Sequence, residues 1–251
     1  MKIAIFSDLH LSTHRFPGHE TLFVDTLSKL RKECDELWLL GDIYDLMIGP
    51  YDFWKARHKN FFDELAQWTA AGKTVTWMQG NHDFYLEDLL SKASITVSDD
   101  HILKKVEGIP CYLAHGDLVD QNDEAYLEWR AKTRSPGFRK VLDLIPGFLK
   151  ESVITGIGDA LSKKSRKKQR DYSATPESEA LIKKFRSFAE EKWKNEAQAV
   201  FLGHSHVDDL HLSEDKKSFY LNLGTWLDGA PRYAIWDAGE YNYPKVIKLD
   251  V

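Results

Sequence analysis

The chain has 251 residues, 43% hydrophobic and 12% aromatic, enough to build a substantial core. No stretch reaches the roughly 18 consecutive apolar residues of a membrane-crossing helix, and the N-terminus opens on a strand-like Lys2-Ile3-Ala4-Ile5-Phe6 rather than a signal-peptide pattern, so a cytoplasmic protein is expected. A formal net charge of −5 argues against a protein that coats nucleic acid, and Cys34 and Cys111, which lack metal-knuckle spacing, read as buried free thiols.

Residues 2 to 6 read as a buried strand ending at Ser7-Asp8-Leu9-His10. A helix is expected from Glu20 to Cys34, with Phe23, Leu27, Leu30 and Cys34 on one face. A second strand, Glu36 to Leu40, ends at Gly41-Asp42. One helix from Phe53 to Ala70 follows, placing Trp54, Phe61, Leu65 and Trp68 on a common side. A third strand, Thr74 to Met78, runs into Gly80-Asn81-His82-Asp83. Such alternation predicts parallel crossovers with helices on the sheet faces, and ligands in such sheets collect at the carboxyl ends of the strands. From His101 the pattern becomes strand-rich: His101 to Val106, a Glu107-Gly108 turn, then Pro110 to Ala114 leading into His115-Gly116-Asp117. A helix is expected from Asp123 to Lys132, a broken helical cap over 135 to 175, and an amphipathic helix over Glu177 to Asn195. The strand Ala199 to Leu202 ends at Gly203-His204-Ser205-His206, and antiparallel strands are expected over Phe219 to Leu223, Arg232 to Trp236 and Lys245 to Leu249.

Five strand ends thus deliver Asp8 and His10, Asp42, Asn81 and His82, His115, and His204 with His206. Carboxylate, imidazole and amide oxygen together suit divalent manganese, iron, zinc or cobalt, and the absence of thiolates argues against a structural zinc cage. In Asp8-Leu9-His10 and His204-Ser205-His206 alternate side chains of an extended backbone share one side, so both members of each pair can face one ion. Two ions fit the donor count better than one, with Asp42 as the natural bridge, since a bimetallic centre separates its ions by about 3.5–4 Å. A single histidine or aspartate at a strand end is ordinary, and Asp42 or Asp123 could each serve as a helix cap. Coincidence across five strand ends is what fails. His14, His19, His58 and His101 lack such a context, and His211 is a weaker candidate because it follows the last cluster closely.

The order Asp8-Leu9-His10, Gly41-Asp42, Gly80-Asn81-His82-Asp83, His115-Gly116-Asp117 and Gly203-His204-Ser205-His206 resembles the signature of the calcineurin-like metallophosphoesterases. The resemblance implies an α/β fold, a four-layer αββα sandwich forming a single domain over 1–251 with 135–175 as a helical cap insertion. It implies that Asp8, His10 and His206 hold one metal, that Asn81, His115 and His204 hold a second, and that Asp42 bridges. His82 falls at the family's catalytic imidazole and Asp83 at the acid that orients it. Two divalent ions, with manganese the first choice, would activate water for attack on phosphorus without a covalent enzyme intermediate.

Within that family the stretch His115-Gly116-Asp117 followed by Asp123, Tyr126 and Arg130 resembles the UDP-2,3-diacylglucosamine pyrophosphohydrolases of lipid A synthesis, which release UMP and an acylated sugar phosphate. The resemblance makes Asn81, Asp123, Tyr126, Arg130, Lys164, Arg166 and Lys167 substrate contacts. The best-known members carry Arg at the position of His82 and paired Asp at Asn122-Asp123, so this chain departs from them at two points. Between Arg130 and Arg170 twelve Lys or Arg face three acids, and the cap interleaves them with Phe138, Val141, Leu142, Phe148, Leu149, Val153 and Ile154. That mixture suits an acyl chain on a diphosphate and a peripheral contact with the inner face of the cytoplasmic membrane through 135–170. The alternatives are a phosphodiesterase or phosphatase acting on another nucleotide-linked or small phosphoester, and a nucleic-acid clamp built on the basic run, which the acid-rich remainder of the chain disfavours.

Overall fold

Two β-sheets lie face to face, each covered on its outer side by helices, in a computed structural model that describes residues 1–12, 16–90, 95–156 and 175–250. The first sheet has the order β13-β12-β1-β2-β4-β6, formed by Lys245–Lys248, Arg232–Asp237, Lys2–Phe6, Glu36–Leu39, Thr74–Met78 and Ile95–Ser98. Within it β1, β2, β4 and β6 run parallel, β12 runs antiparallel to β1, and β13 runs antiparallel to β12. The second sheet has the order β10-β11-β9-β8-β7, formed by Asp208–Leu212, Phe219–Leu223, Ala199–Leu202, Ile109–Ala114 and His101–Val106.

The period-2 alternation of each central strand divides its side chains between two layers. Ile3 and Ile5 of β1, Trp38 of β2, Phe201 of β9 and Trp236 of β12 point into the space between the sheets. There Trp38 meets Phe201 edge-on at 5.1 Å and Phe219 meets Trp236 at 5.4 Å. Ala4 and Phe6, Leu37 and Leu39, and Val75 and Trp77 point the other way, onto helices α1 (His19–Leu30) and α3 (Lys59–Ala70). On the second sheet Tyr112, Val200 and Leu202 pack under Phe185 and Ala189 of α8 (Pro176–Asn195). Each fully buried large apolar side chain stabilises by about 1.5–3 kcal/mol relative to exposure. Because both faces of the parallel strands are covered, those strands read as continuous apolar runs. This is the four-layer α/β sandwich that the motif order implied.

Several details differ from the sequence expectation. The helix expected over Phe53 to Ala70 is two helices, α2 (Asp52–Arg57) and α3, broken at His58 with φ −111° and ψ 39°. His58 is drawn inward to Glu20, whose Oε1 lies 2.9 Å from its Nδ1 and accepts the Tyr44 hydroxyl at 3.0 Å. The apolar stripe continues across the break, so periodicity alone does not reveal it. The chain after β9 reverses into β10, antiparallel to β11, and this leaves β11 parallel to β9 rather than part of an antiparallel tail. α1 stops at Leu30, short of Cys34, a short helix α4 (Glu87–Leu90) precedes β6, and β6 and β10 add edge strands.

Within the segment expected as a cap, the described residues are helical over 136–144 and 147–156. α5 (Glu124–Thr133) is followed by α6 (Pro136–Leu144), which opens on a Ser135 cap and Pro136, and then by α7, helical over residues 147–156. The segment docks through Tyr51 to Asp143 at 3.3 Å, Arg57 to Glu151 at 2.7 Å and Arg139 to Asp88 at 3.0 Å. The basic run at 163 to 170, with Lys164, Arg166 and Lys167, and His14 lie outside the described residues. No helix among the described residues is long and apolar enough to cross a membrane.

Candidate metal centre

The carboxyl ends of five parallel strands, β1, β2 and β4 of one sheet and β8 and β9 of the other, meet along one edge of the sandwich. Backbone bonds tie their loops together: Asp8 N–H to Gly41 O at 3.1 Å, His10 N–H to Asp42 O at 2.9 Å, and Gly203 N–H to His115 O at 2.7 Å. A two-stranded ribbon of β3 (Met47–Ile48) and β5 (Asp83–Phe84) lays the 42–45 turn beside the 80–83 turn. Asp8, His10, Asp42, His204 and His206 all have φ between +47° and +66°. That region is unfavourable for non-glycine residues and collects where surrounding structure over-determines the backbone. Gly80 and Gly203 make room: a β-carbon on the first would collide with the Asp42 carboxylate, and on the second with the Asp8 carboxylate and the Ser7 hydroxyl.

Two groups of donor atoms result. In the first, His10 Nε2 lies 3.0 Å from His206 Nε2, His206 Nε2 lies 3.4 Å from Asp8 Oδ1, and His10 Nδ1 turns toward Asp45 at 3.4 Å. In the second, Asn81 Oδ1 lies 3.2 Å from His115 Nε2 and 2.9 Å from His204 Nδ1, and those two nitrogens are 3.3 Å apart. His115 directs Nδ1 to Leu40 O at 2.9 Å, a carbonyl that takes its N–H and leaves the Nε2 lone pair facing the group. Asp42 stands between the two. Its Oδ1 accepts the His82 backbone N–H at 2.9 Å, and its Oδ2 is 3.6 Å from both His10 Nε2 and His115 Nε2.

Converging lone pairs of this kind are repulsive unless a proton or a cation lies among them, and the mixed oxygen and imidazole donors fit divalent cations. The electrostatics agree. Burial pushes the Asp42 carboxyl up, but His115, His82 and His10 outweigh it and hold the group far below the ordinary carboxylate range. Burial likewise opposes a charged His115, yet Asp42 and Asp8 raise it to about 9. His204 is pushed down to about 4 by burial and by His115.

The structure brings all seven expected donors together, with His82 beside them, its ring edge-on to His10 at 4.9 Å. It corrects two expected roles. The His82 ring is oriented through Nδ1 by the Asp45 carbonyl at 2.9 Å, not by Asp83. Asp83 lies under the loops, where its carboxylate accepts the N–H groups of Asp42, Ile43 and Gly80 at 2.9, 2.9 and 2.7 Å and the Trp77 indole at 3.2 Å. Asp83→Ala would strand four buried donors and should destabilise the fold by about 3 kcal/mol, lowering Tm by roughly 6–12 °C. Differential scanning calorimetry of the metal-free protein checks this, and an unchanged Tm would show the four bonds to be dispensable.

Asp123, expected at the substrate, is exposed and caps α5 by accepting the Tyr126 N–H at 3.0 Å. Tyr126 and Arg130 stand at the rim with their polar ends held by the buried Asp117, at 2.6 Å from the hydroxyl and 2.7 Å from Nε. His211 is outside the site, stacked on Trp193 and 2.8 Å from Glu190. Asp45, Asp117 and Asn222, whose amide donates to Gly203 O at 2.7 Å, were not singled out by sequence reasoning as parts of this site. The one available signal was the place of Asp45 and Asp117 within three residues of candidate donors.

These strand ends, in this order on this fold, define a metal-dependent phosphoester hydrolase: the chain belongs to the calcineurin-like phosphoesterase family, whose model matches residues 1–208. Along most of its length it is similar to the UDP-2,3-diacylglucosamine hydrolase of Aliivibrio fischeri (strain MJ11), at 30% identity over 231 residues, 90% of this chain and 91% of that one. The protein of the same name from Vibrio parahaemolyticus is 26% identical over 230 residues, 90% of each chain.

Proposed function

We propose that this enzyme hydrolyses the pyrophosphate of a UDP-linked acylated glucosamine, releasing UMP and an acylated sugar 1-phosphate, with two divalent ions, manganese foremost, held by Asp8, His10 and His206 on one side, by Asn81, His115 and His204 on the other, and by Asp42 between them. Bound there, the ions supply Lewis-acid polarisation of phosphoryl oxygens and a lowered water pKa. The chain's own residues do the rest. Asp42 offers one oxygen to both donor groups, His82 presents its Nε2 edge with Nδ1 tied to Asp45, and Tyr126 and Arg130 frame the rim on Asp117.

The observation that carries the choice of an acylated substrate is the apolar face of the cap. Leu144 and Phe148 are 82% and 84% exposed, with Val141 also exposed beside them. Large apolar side chains exposed this close together in sequence suit a site of contact. It suits acyl chains and a shallow seat on the inner face of the cytoplasmic membrane, where Lys140 and Lys150 of the same segment would meet anionic headgroups. The names of the relatives support the same substrate. The decisive assay supplies manganese-loaded protein with UDP-2,3-diacylglucosamine in anionic phosphatidylglycerol vesicles. UMP and acyl-sugar phosphate are expected as products, and the protein should sediment with the vesicles. Cleavage of bis(4-nitrophenyl) phosphate without release of UMP would favour a different phosphoester.

A further inference from the structure

Three arginines follow one another along α5 and the start of α6, and two have counter-charges. Arg130 is paired with Asp117 at 2.7 Å, and Arg139 with Asp88 at 3.0 Å and Asp143 at 3.4 Å. Arg134, one turn beyond Arg130 at the C-cap of α5, forms no ion pair among the described residues. Its Nη2 donates to Gly80 O at 2.6 Å and its guanidinium lies 3.6 Å from the centroid of the Phe84 ring. Its Nε and Nη1 are buried, with no hydrogen-bond partner among the described residues.

A brace for the 80–83 loop would need only the one donor that reaches Gly80. A guanidinium carries five, in a planar fork that matches phosphate oxygens. An enclosed cation with idle donors costs stability unless an anion arrives to use them. Burial and the neighbouring Arg130 both disfavour its charge, pulling its pKa below the ordinary arginine value. Gly80 is the residue before Asn81, so Arg134 stands next to the donor set without belonging to it. An anion there would be a second group, distinct from the one the donors hold. Engaging it requires the fork to turn, which the flexible stem of arginine permits over the non-directional face of Phe84.

We propose that Arg134 is a specificity-determining residue that binds the phosphoryl group of a diphosphate substrate that is not attacked. This rests on the reading of the substrate as a nucleotide diphosphate derivative. The test uses the manganese-loaded enzyme, hydrolysis of bis(4-nitrophenyl) phosphate as the readout, and UDP and UMP as competing ligands with two phosphoryl groups and one. Arg134→Met keeps the stem and its packing, and Arg134→Lys keeps the charge without the fork. For Arg134→Met the inhibition constant of UDP should rise at least about tenfold more than that of UMP, as expected for loss of a bidentate charged contact, with Arg134→Lys between it and the parent. Equal rises for UDP and UMP would make Arg134 a loop brace, and no rise, or no inhibition of the parent enzyme by UDP, would equally overturn the proposal. Failure of the parent enzyme to release UMP from the lipid substrate would instead sink the substrate reading, since the inhibition constants are read on a simple diester.

Discussion

Asp42→Ala should lower turnover by at least about 10³-fold, equivalent to about 4 kcal/mol of transition-state stabilisation, and should reduce bound manganese from two ions per chain. The reason is the position of one atom. Asp42 Oδ2 is 3.6 Å from His10 Nε2 and from His115 Nε2, whereas every other donor faces only one of the two groups. Removing it would separate the two donor groups proposed to hold a pair of cations, whose joint action is what a bimetallic site contributes. Its other oxygen holds the His82 backbone N–H at 2.9 Å, so alanine also frees the loop that carries Asn81 and His82. Asp42→Asn separates these effects. The amide keeps an oxygen for the His82 N–H but lacks the charge, so it should restore stability while leaving turnover low. Metal content by plasma emission spectroscopy and initial rates on bis(4-nitrophenyl) phosphate are the measurements. Full activity with two bound ions in Asp42→Ala would remove Asp42 from the bridge.

Strand ends were legible because their chemistry is local: an apolar run of β-period stops, and a carboxylate, imidazole or amide follows at once. Ile3 to Phe6 before Asp8, Leu37 to Leu40 before Asp42, and Val200 to Leu202 before His204 all have this form. The parallel crossovers of the first sheet followed from the same alternation, whereas the two-sheet sandwich was implied only by the resemblance to the family. What could not be read was anything that depends on a fold-wide contact. Asp83 looks like a companion of His82 in the sequence, yet its carboxylate gathers N–H groups from residues 42, 43, 77 and 80, an arrangement that exists only once β2 and β4 are neighbours. Asp45 sits in a turn without periodicity and gains its role from the ribbon that β3 and β5 form. The break at His58 depends on Glu20, 38 residues earlier.

The backbone adds a point that side-chain chemistry does not carry. Five candidate donors occupy the left-handed region, where a non-glycine residue is strained, and the cost is borne by the loop bonds around them. Asp8 shows how. Both its carboxylate oxygens lie 3.0 Å from the His204 backbone N–H, and its carbonyl takes the Thr225 hydroxyl at 2.9 Å and the Trp226 N–H at 3.1 Å. The donors of the two sheets are thereby fixed to each other by the chain's own hydrogen bonds, which lowers the ordering cost of binding an ion.

His82→Ala should reduce kcat by about 10²–10⁴-fold, the usual worth of a positioned general acid or base, while leaving two ions bound. Its ring lies edge-on to His10, and Nδ1 faces the Asp45 carbonyl at 2.9 Å, which leaves Nε2 as the nitrogen to offer a substrate oxygen. Burial disfavours the protonated ring, but Asp42 and Asp45 outweigh it and raise the pKa above the ordinary histidine value, which suits a group that begins the reaction as an acid. The leaving group then discriminates between roles. A 4-nitrophenolate departs without needing a proton, whereas an alkoxide does not. If His82 donates a proton, His82→Ala should be hurt far more on a phosphodiester with an alkoxide leaving group than on bis(4-nitrophenyl) phosphate. If it only stabilises charge on the phosphoryl oxygens, the two losses should match, and His82→Lys should recover part of each. Retention of full kcat on both substrates would exclude His82 from the chemistry.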